Sequence, residues 1–245
     1  MHLQEMLSYL RRALEDFSMI SENDSIAVGV SAGKDSLALL VTLSEIRRFY
    51  PIKFDLCAIT VDMGFKEPMD FSPIAALCKD IGVPYIVRKS DIAEVVFDVR
   101  KESNPCSLCA KMRRGALNES AVEAGCNKVA LGHNNDDAIE TFFLSLFFEG
   151  RISCFTPVTH LDRKEIYTIR PLIYVPESKL KSFARKQELP VIKSPCPANG
   201  NTKRQEMKEY IAEMQRKDHK FKRKTFGAIK RGIWKIDQKT KDFEI

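Results

Sequence analysis

Cys106-Ser107-Leu108-Cys109 sets two thiols three positions apart where a helix is expected to begin, and Pro195-Cys196-Pro197 holds a third in stiff chain. The pair has the spacing of a metal site, and a helix N-terminus lowers a thiol pKa. Structural zinc takes four ligands, commonly from a second such pair, and the sequence has none. Three thiolates can hold an iron–sulfur cluster and leave one iron open to a ligand from outside the protein. A thioredoxin-type redox pair and a chance spacing among seven cysteines are the competing readings.

A second group of residues is built for an anion. Ser31-Ala32-Gly33-Lys34-Asp35-Ser36 lies between the apolar run Ile26–Val30 and an apolar-periodic segment from Leu37. That order reads as strand, tight turn, helix start. The first helical turn offers unpaired N–H groups and the positive end of the helix dipole, so phosphate or pyrophosphate is the natural ligand. A Walker A loop is excluded: only three residues separate Gly29 from Gly33, and Asp35 follows the lysine. An ordinary turn with a solvated Lys34–Asp35 pair is the plain alternative. If position 32 needs a positive φ, Ala32 is a handicap there.

Gly132-His133-Asn134-Asn135-Asp136-Asp137 follows a short apolar run and precedes a helix. It would bring two carboxylates and an imidazole to the same crevice, where carboxylates hold Mg²⁺ across phosphate oxygens. A simple helix cap with a surface histidine is the alternative of equal weight. Arg113 and Arg114, one turn past the cysteine pair, could face phosphate or RNA.

The elements that must position these residues follow from periodicity. Leu3, Leu7, Leu10, Leu14 and Phe17 mark one face of an N-terminal helix. Strands are expected at 26–30, 54–61, 84–87, 128–131 and 166–169. Helices are expected at 37–50, 68–81, 106–124, 138–148, 177–188 and from Thr202 to about Lys217. Residues 151–165 read as a loop or small hairpin, 89–105 as a polar divide, and the last fourteen residues have no firm reading. Alternating strands and helices with short turns predict an α/β fold with a doubly wound, mainly parallel sheet. Ligands of such sheets bind beyond the carboxyl ends of the strands, so Ser31 and Asp62 should share one crevice. Three regions are expected: an N-terminal helix (1–22), a nucleotide-binding domain carrying the cysteine helix (23–200) and a basic helical extension (201–245).

Composition narrows the setting. No apolar run approaches a membrane span, the N-terminus lacks the layout of a signal peptide, and seven cysteines do not suit a disulfide scaffold. A cytoplasmic protein is expected. The formal charge is +6, but residues 201–245 hold 14 Lys and Arg against 7 Asp and Glu, so the whole excess lies there. A polyanion partner, nucleic acid first, or a merely solvated tail would each account for it. Cys57, Cys78 and Cys126 read as structural; Cys154 is left open to a persulfide-carrying role.

The segments SAGKDS, NPCSLCAKMRRGAL, GHNNDDAIETFFLSLFFEGRI, IRPLIYVPESKL and SPCPANGNTKRQEMKEYI occur in this order. Together they resemble the TtcA family, the tRNA 2-thiocytidine synthetases of the PP-loop ATP pyrophosphatase superfamily, over roughly residues 20 to 215. The loop differs from the usual Ser-Gly-Gly-x-Asp-Ser in having Ala32. The zinc-finger cysteine pairs that flank the related TtuA-type thiolases are missing. The resemblance implies a fold of the adenine nucleotide alpha hydrolase type and an ATP-dependent sulfurtransferase that turns a tRNA cytidine, at position 32, into 2-thiocytidine. It implies ATP, Mg²⁺ and a [4Fe–4S] cluster as cofactors. Ser31, Ala32, Gly33, Lys34, Asp35 and Ser36 would bind the pyrophosphate, with Asp62, Gly132 and His133 around the nucleotide. Asp35 with Asp136 or Asp137 would hold the metal, and Cys106, Cys109 and Cys196 the cluster. Asp35, Asp136, Asp137, Cys106 and Cys109 would thus carry the chemistry. The implied partners are tRNA, a sulfur donor (a cysteine desulfurase or inorganic sulfide) and a second copy of the chain; no membrane is involved. An amide-forming adenylating ligase, thiolation of another base or small molecule, and an RNA-binding module with a degenerate loop are the alternatives.

Overall fold

The computed structural model describes residues 1–100, 105–162, 164–197 and 203–236. Strands β1 (Asp24–Gly29), β2 (Phe54–Asp62), β3 (Tyr85–Lys89), β4 (Lys128–Ala130), β5 (Val158–Leu161) and β6 (Ile166–Ile169) form one sheet in the order β3-β2-β1-β4-β6-β5. All neighbours are parallel except β5 and β6. The expected mainly parallel α/β sheet is therefore present. The hairpin expected within 151–165 is realised differently: its one strand, β5, turns back onto β6 as an antiparallel edge.

The helices are α1 (Leu3–Asp16), α2 (Lys34–Arg47), α3 (Ser72–Asp80), α4 (Ile92–Glu94), α5 (Pro105–Glu123), α6 (Asn135–Phe148), α7 (Glu177–Lys186), α8 (Lys203–Lys217) and α9 (Phe221–Gly232). A π-helical turn, Val95–Arg100, continues α4, so the stretch expected as a polar divide is partly helical. Helix α3 starts four residues later than expected because Asp70 accepts from Ser72 N and Ser72 Oγ, ending the irregular chain there. Thr202, residues 101–104 of the divide and residues 237–245 of the C-terminus lie outside the described residues.

Alternation along the strands sorts the layers. Ile26, Val28, Leu56, Ala58, Ala130 and Ile169 face a large core shared with α1, α2, α6 and α7. Ala27, Cys57, Ile59 and Val129 face the opposite side, where Leu117 and Ala121 of α5 cover them. Helices α8 and α9 join the first core through Met207, Ile211 and Ile229. Phe221 stacks on Phe143 at 5.7 Å and 10°, and Trp234 Nε1 donates to Phe155 O at 2.9 Å. The basic C-terminal region is thus packed against the sheet domain through these contacts.

The chain runs from β1 outward to β2 and β3, then returns to place β4 on the other side of β1. The crevice beyond the carboxyl ends of β1 and β4 is the switch point at which such sheets bind ligands. Both phosphate-loop and His133-Asp137 residues leave from these two strand ends.

Candidate functional site

The phosphate loop closes on itself through its serines. Ser31 N and Ser31 Oγ approach Ser36 Oγ at 3.1 and 3.2 Å, and Ser36 Oγ donates to Gly33 O at 2.9 Å. Gly33 is the extended N-cap residue, and its cap carries no side-chain hydrogen bond, so N–H groups of the first turn remain for an anion. Ala32 adopts φ 63° and is fully buried; Ile192 N donates to its carbonyl at 3.1 Å. The position does require the left-handed backbone, and this chain meets it with alanine. Strain of about 1–2 kcal/mol is offset by about 0.8 kcal/mol of methyl burial and by the lower unfolded-state entropy of alanine, about 0.4–1 kcal/mol. Ala32→Gly is therefore expected to change unfolding free energy by less than about 1 kcal/mol, read from urea denaturation.

Gly132 fixes how near the second strand end comes. A Cβ there would stand 3.0 Å from Asp35 C and Ser36 N, so any larger residue would push the chain after β4 away from the start of α2 by a few tenths of an ångström. Asn134 caps α6, accepting from Asp136 N and Asp137 N, while Asp137 Oδ2 accepts from Asn134 N at 2.9 Å. The cap is present: Asp137 spends one oxygen on it and directs Oδ1 toward Arg204 at 3.9 Å.

Asp35, Asp137 and Glu177 converge. Burial, with repulsion from Asp137 and Glu177, raises the Asp35 carboxyl above its ordinary range despite Lys34. Asp35 Oδ1 is buried without a partner, while Oδ2 takes Lys34 Nζ at 2.9 Å. Lys34 also reaches Glu177 Oε1 at 3.1 Å. Burial opposes the Lys34 charge, but Asp35 and Glu177 outweigh it and hold its pKa high. Asp136 is engaged elsewhere: Glu177 N donates to Oδ2 and Lys222 Nζ to Oδ1, both at 2.6 Å.

Several of these groups carry no obvious sequence signal. Glu177 opens α7 just after Pro176, and Glu140 lies one turn along α6 from Asp136. Arg204 and Lys208 of α8 approach Glu140 at 3.4 and 3.7 Å, and Lys208 approaches Glu177 at 3.9 Å. Part of the C-terminal positive charge is thus spent on the crevice carboxylates. Only distant-contact information could have revealed this. Arg216, Lys220 and Arg223 remain exposed on α8, α9 and their connection.

Burial pushes Glu140 up to about 7, against the pull of Lys208. A carboxyl whose folded pKa lies above its unfolded value favours the folded state below the unfolded pKa and loses that contribution as pH rises through the folded one. Glu140→Gln should flatten the loss of stability between pH 4.5 and about 7 and raise the unfolding midpoint near about pH 8. Urea titrations across this range measure both.

His133 stacks on Phe155 at 5.0 Å, with Nδ1 buried and unpartnered. Burial, then four nearby arginines led by Arg170, push it down to about 3, so it is neutral. Asp62, at the end of β2, accepts from Gly64 N at 3.1 Å and shapes the turn beside a cleft of about 660 Å³.

That cleft reaches the segment that carries Cys196, and the same segment meets the phosphate loop where Ile192 N donates to Ala32 O. Ala93 and Phe97 line it together with Pro195 and Pro197, which flank Cys196. Cys109 packs against the same Ala93 and Phe97. Burial raises the Cys109 thiol, Arg113 opposes this, and Cys196 and Cys106 are near enough to add to it. These three thiols are exposed or half-buried, whereas Cys57, Cys78, Cys126 and Cys154 are buried. Among the described residues no three His, Cys, Asp or Glu side chains already form a metal-holding group. Cys154 donates to Ala138 O at 3.4 Å, and burial pushes its thiol up to about 12, a poor carrier of sulfur. No helix among the described residues is long and apolar enough to cross a membrane.

Comparison with known proteins agrees with this geometry. Residues 5–214 match the model of the PP-loop domain family. The chain is 39% identical over 221 residues to the tRNA-cytidine(32) 2-sulfurtransferase of Geobacter metallireducens, covering 89% of this chain and 86% of that one. It is 40% identical to the protein of the same name from Alkalilimnicola ehrlichii, covering 86% and 68%. The U34-tRNA thiolase NcsA from Methanococcus maripaludis, solved with its [4Fe-4S] cluster, superposes with TM-score 0.79 at 26% identity, over 97% of this chain and 80% of that one. An NH3-dependent NAD synthetase from Campylobacter jejuni, 17% identical with TM-score 0.51 over 100% and 99%, shares the fold. A phosphate loop at the switch point, three thiols exposed or half-buried and these relatives converge: the chain is an enzyme of the PP-loop family, in its tRNA-cytidine(32) 2-sulfurtransferase branch.

Proposed function

We propose that this chain adenylates the C2 carbonyl oxygen of a tRNA cytidine, at position 32, and exchanges that oxygen for sulfur. The observation that carries the reading is that Cys106 and Cys196 both lie near enough to act on Cys109, while the segment leading to Cys196 is tied to the phosphate loop by Ile192 N on Ala32 O. An adenylating ligase would need the loop and no thiol trio.

The residues divide the work. N–H groups of Gly33 to Ser36 and the Lys34 ammonium receive the pyrophosphate portion of ATP, leaving the α-phosphorus open to the pyrimidine oxygen. That oxygen forms a bond to phosphorus and pyrophosphate leaves. The adenylated oxygen is then displaced at C2 by sulfur, and AMP departs. Asp35, whose Oδ1 is unpartnered, would hold Mg²⁺, with Asp137 near enough to add its charge. Asp136, held by Glu177 N and Lys222, positions α7 and α9 against α6. Cys106, Cys109 and Cys196, exposed or half-buried, would hold an iron–sulfur cluster. When bound, a cluster with three cysteine ligands supplies an iron open to a sulfur ligand. His133, neutral beside Phe155, adds no charge to the crevice. Asp62 and its turn border the nucleotide side.

Cytoplasmic location, a second copy of the chain, and a cysteine desulfurase or inorganic sulfide as sulfur source belong to the same proposal. Anaerobic purification followed by iron and acid-labile sulfide analysis tests it. Iron and sulfide bound in the wild type and lost when Cys109 is replaced by serine support the reading; a wild type that cannot take up iron contradicts it.

A further inference from the structure

The crevice has a basic end that the reaction above does not use. Arg170 directly follows β6 and is 9% exposed. A guanidinium stays charged at any ordinary pH, and burying it without a counter-charge is costly. Arg170 finds only neutral partners: Nη1 donates to Thr156 O at 2.6 Å and to Thr159 Oγ1 at 3.1 Å. Its carbon centre lies 5.0 Å over the Phe155 ring, and Nε is buried with no partner at all. The charge acting on it most strongly is another cation, Arg114 of α5. His133 rests on the same Phe155 ring and also has a buried, unpartnered Nδ1. Two side chains on neighbouring strand ends therefore offer unspent nitrogen atoms in a region of uncompensated positive charge.

We propose that Arg170, Arg114 and His133 form a binding site for a phosphate oxyanion, separate from the pyrophosphate site of the loop. The carboxylates Asp137, Glu140 and Glu177 stand toward α6 and α7, whereas the hydrogen-bond partners of Arg170 are neutral. Arginine's planar fork matches phosphate oxygens. The phosphate comes either from the adenylyl group of the nucleotide or from the RNA backbone beside the target base, where such contacts set register without reading sequence. The inference rests on the reading of this crevice as an ATP and tRNA site.

Calorimetry with AMP, and filter binding with unmodified tRNA, distinguish the two sources. Arg170→Lys keeps the charge but loses the fork, and Arg114→Met removes an exposed cation without disturbing the core. Both are compared with wild type after melting curves have been taken. AMP binding weakened about tenfold or more with tRNA binding intact assigns the adenylyl phosphate. The reverse assigns the RNA backbone, with a shallower salt dependence in the variant. If Arg170→Lys does not fold, Arg114→Met alone carries the comparison. Variants that melt like wild type and bind both probes within about twofold overturn the inference. Wild-type protein that binds neither probe overturns the functional reading as well.

Discussion

Cys196→Ser is expected to abolish thiolation, lowering it by more than about a hundredfold, since even outer-shell changes at metal sites cost 10–100-fold. Serine keeps the size of the side chain but has no soft thiolate to offer iron. Cys196 is half-buried in a segment between two prolines, with Ser194 Oγ accepting from its N–H at 3.3 Å. Little of the core depends on its sulfur, so the melting temperature of the metal-free protein should stay near wild type. No contact ties the Cys196 side chain to the phosphate-loop residues among the described ones, so ATP affinity should change by less than about twofold. Iron content, thiolated nucleoside yield and ATP calorimetry read the three effects separately. Full thiolation by this variant would remove Cys196 from the donor set.

Asp35→Asn should produce the opposite separation. Its Oδ1 is a buried carboxylate oxygen without a hydrogen-bond partner, and its charge is felt by Asp137 and Glu177. Asparagine can still accept a hydrogen bond from Lys34 but loses the charge that a divalent cation seeks. Charge-assisted contacts are worth about 1.5–3 kcal/mol, so Mg-ATP affinity should fall about 10–100-fold. Iron content should not change. Removing a charge from a crowded carboxylate group should also leave the protein as stable as wild type or slightly more so. Unchanged Mg-ATP affinity would strip Asp35 of a metal role and leave it a partner of Lys34.

The sequence carried the fold well because its signals are local. The apolar run of β1, the small-residue turn and the periodic α2 announce one another, and Gly132 sits where a strand must end tightly. The backbone at Ala32 was legible for the same reason: the usual glycine marks a positive φ, which Ala32 does adopt. Edge strand β5 was only half legible, since four residues, Val158–Leu161, give periodicity little to show. What could not be read was the meeting of distant side chains. Lys222 on Asp136, Arg204 on Glu140 and Lys208 on Glu177 join α9 and α8 to α6 and α7. Each looks like ordinary surface charge in its own helix, so the basic C-terminus read as either a polyanion-binding or a solvated tail. Arg170 was equally silent, because its significance lies in which partners it lacks.

The central claim is tested most directly by incubating the anaerobically reconstituted protein with ATP, Mg²⁺, sulfide and unmodified tRNA, then digesting the RNA for nucleoside mass spectrometry. The account predicts 2-thiocytidine formed with one AMP per sulfur inserted, and none when ATP is omitted. ATP turnover to AMP with no thiolated nucleoside, or a thiolated base that forms without ATP, would contradict it.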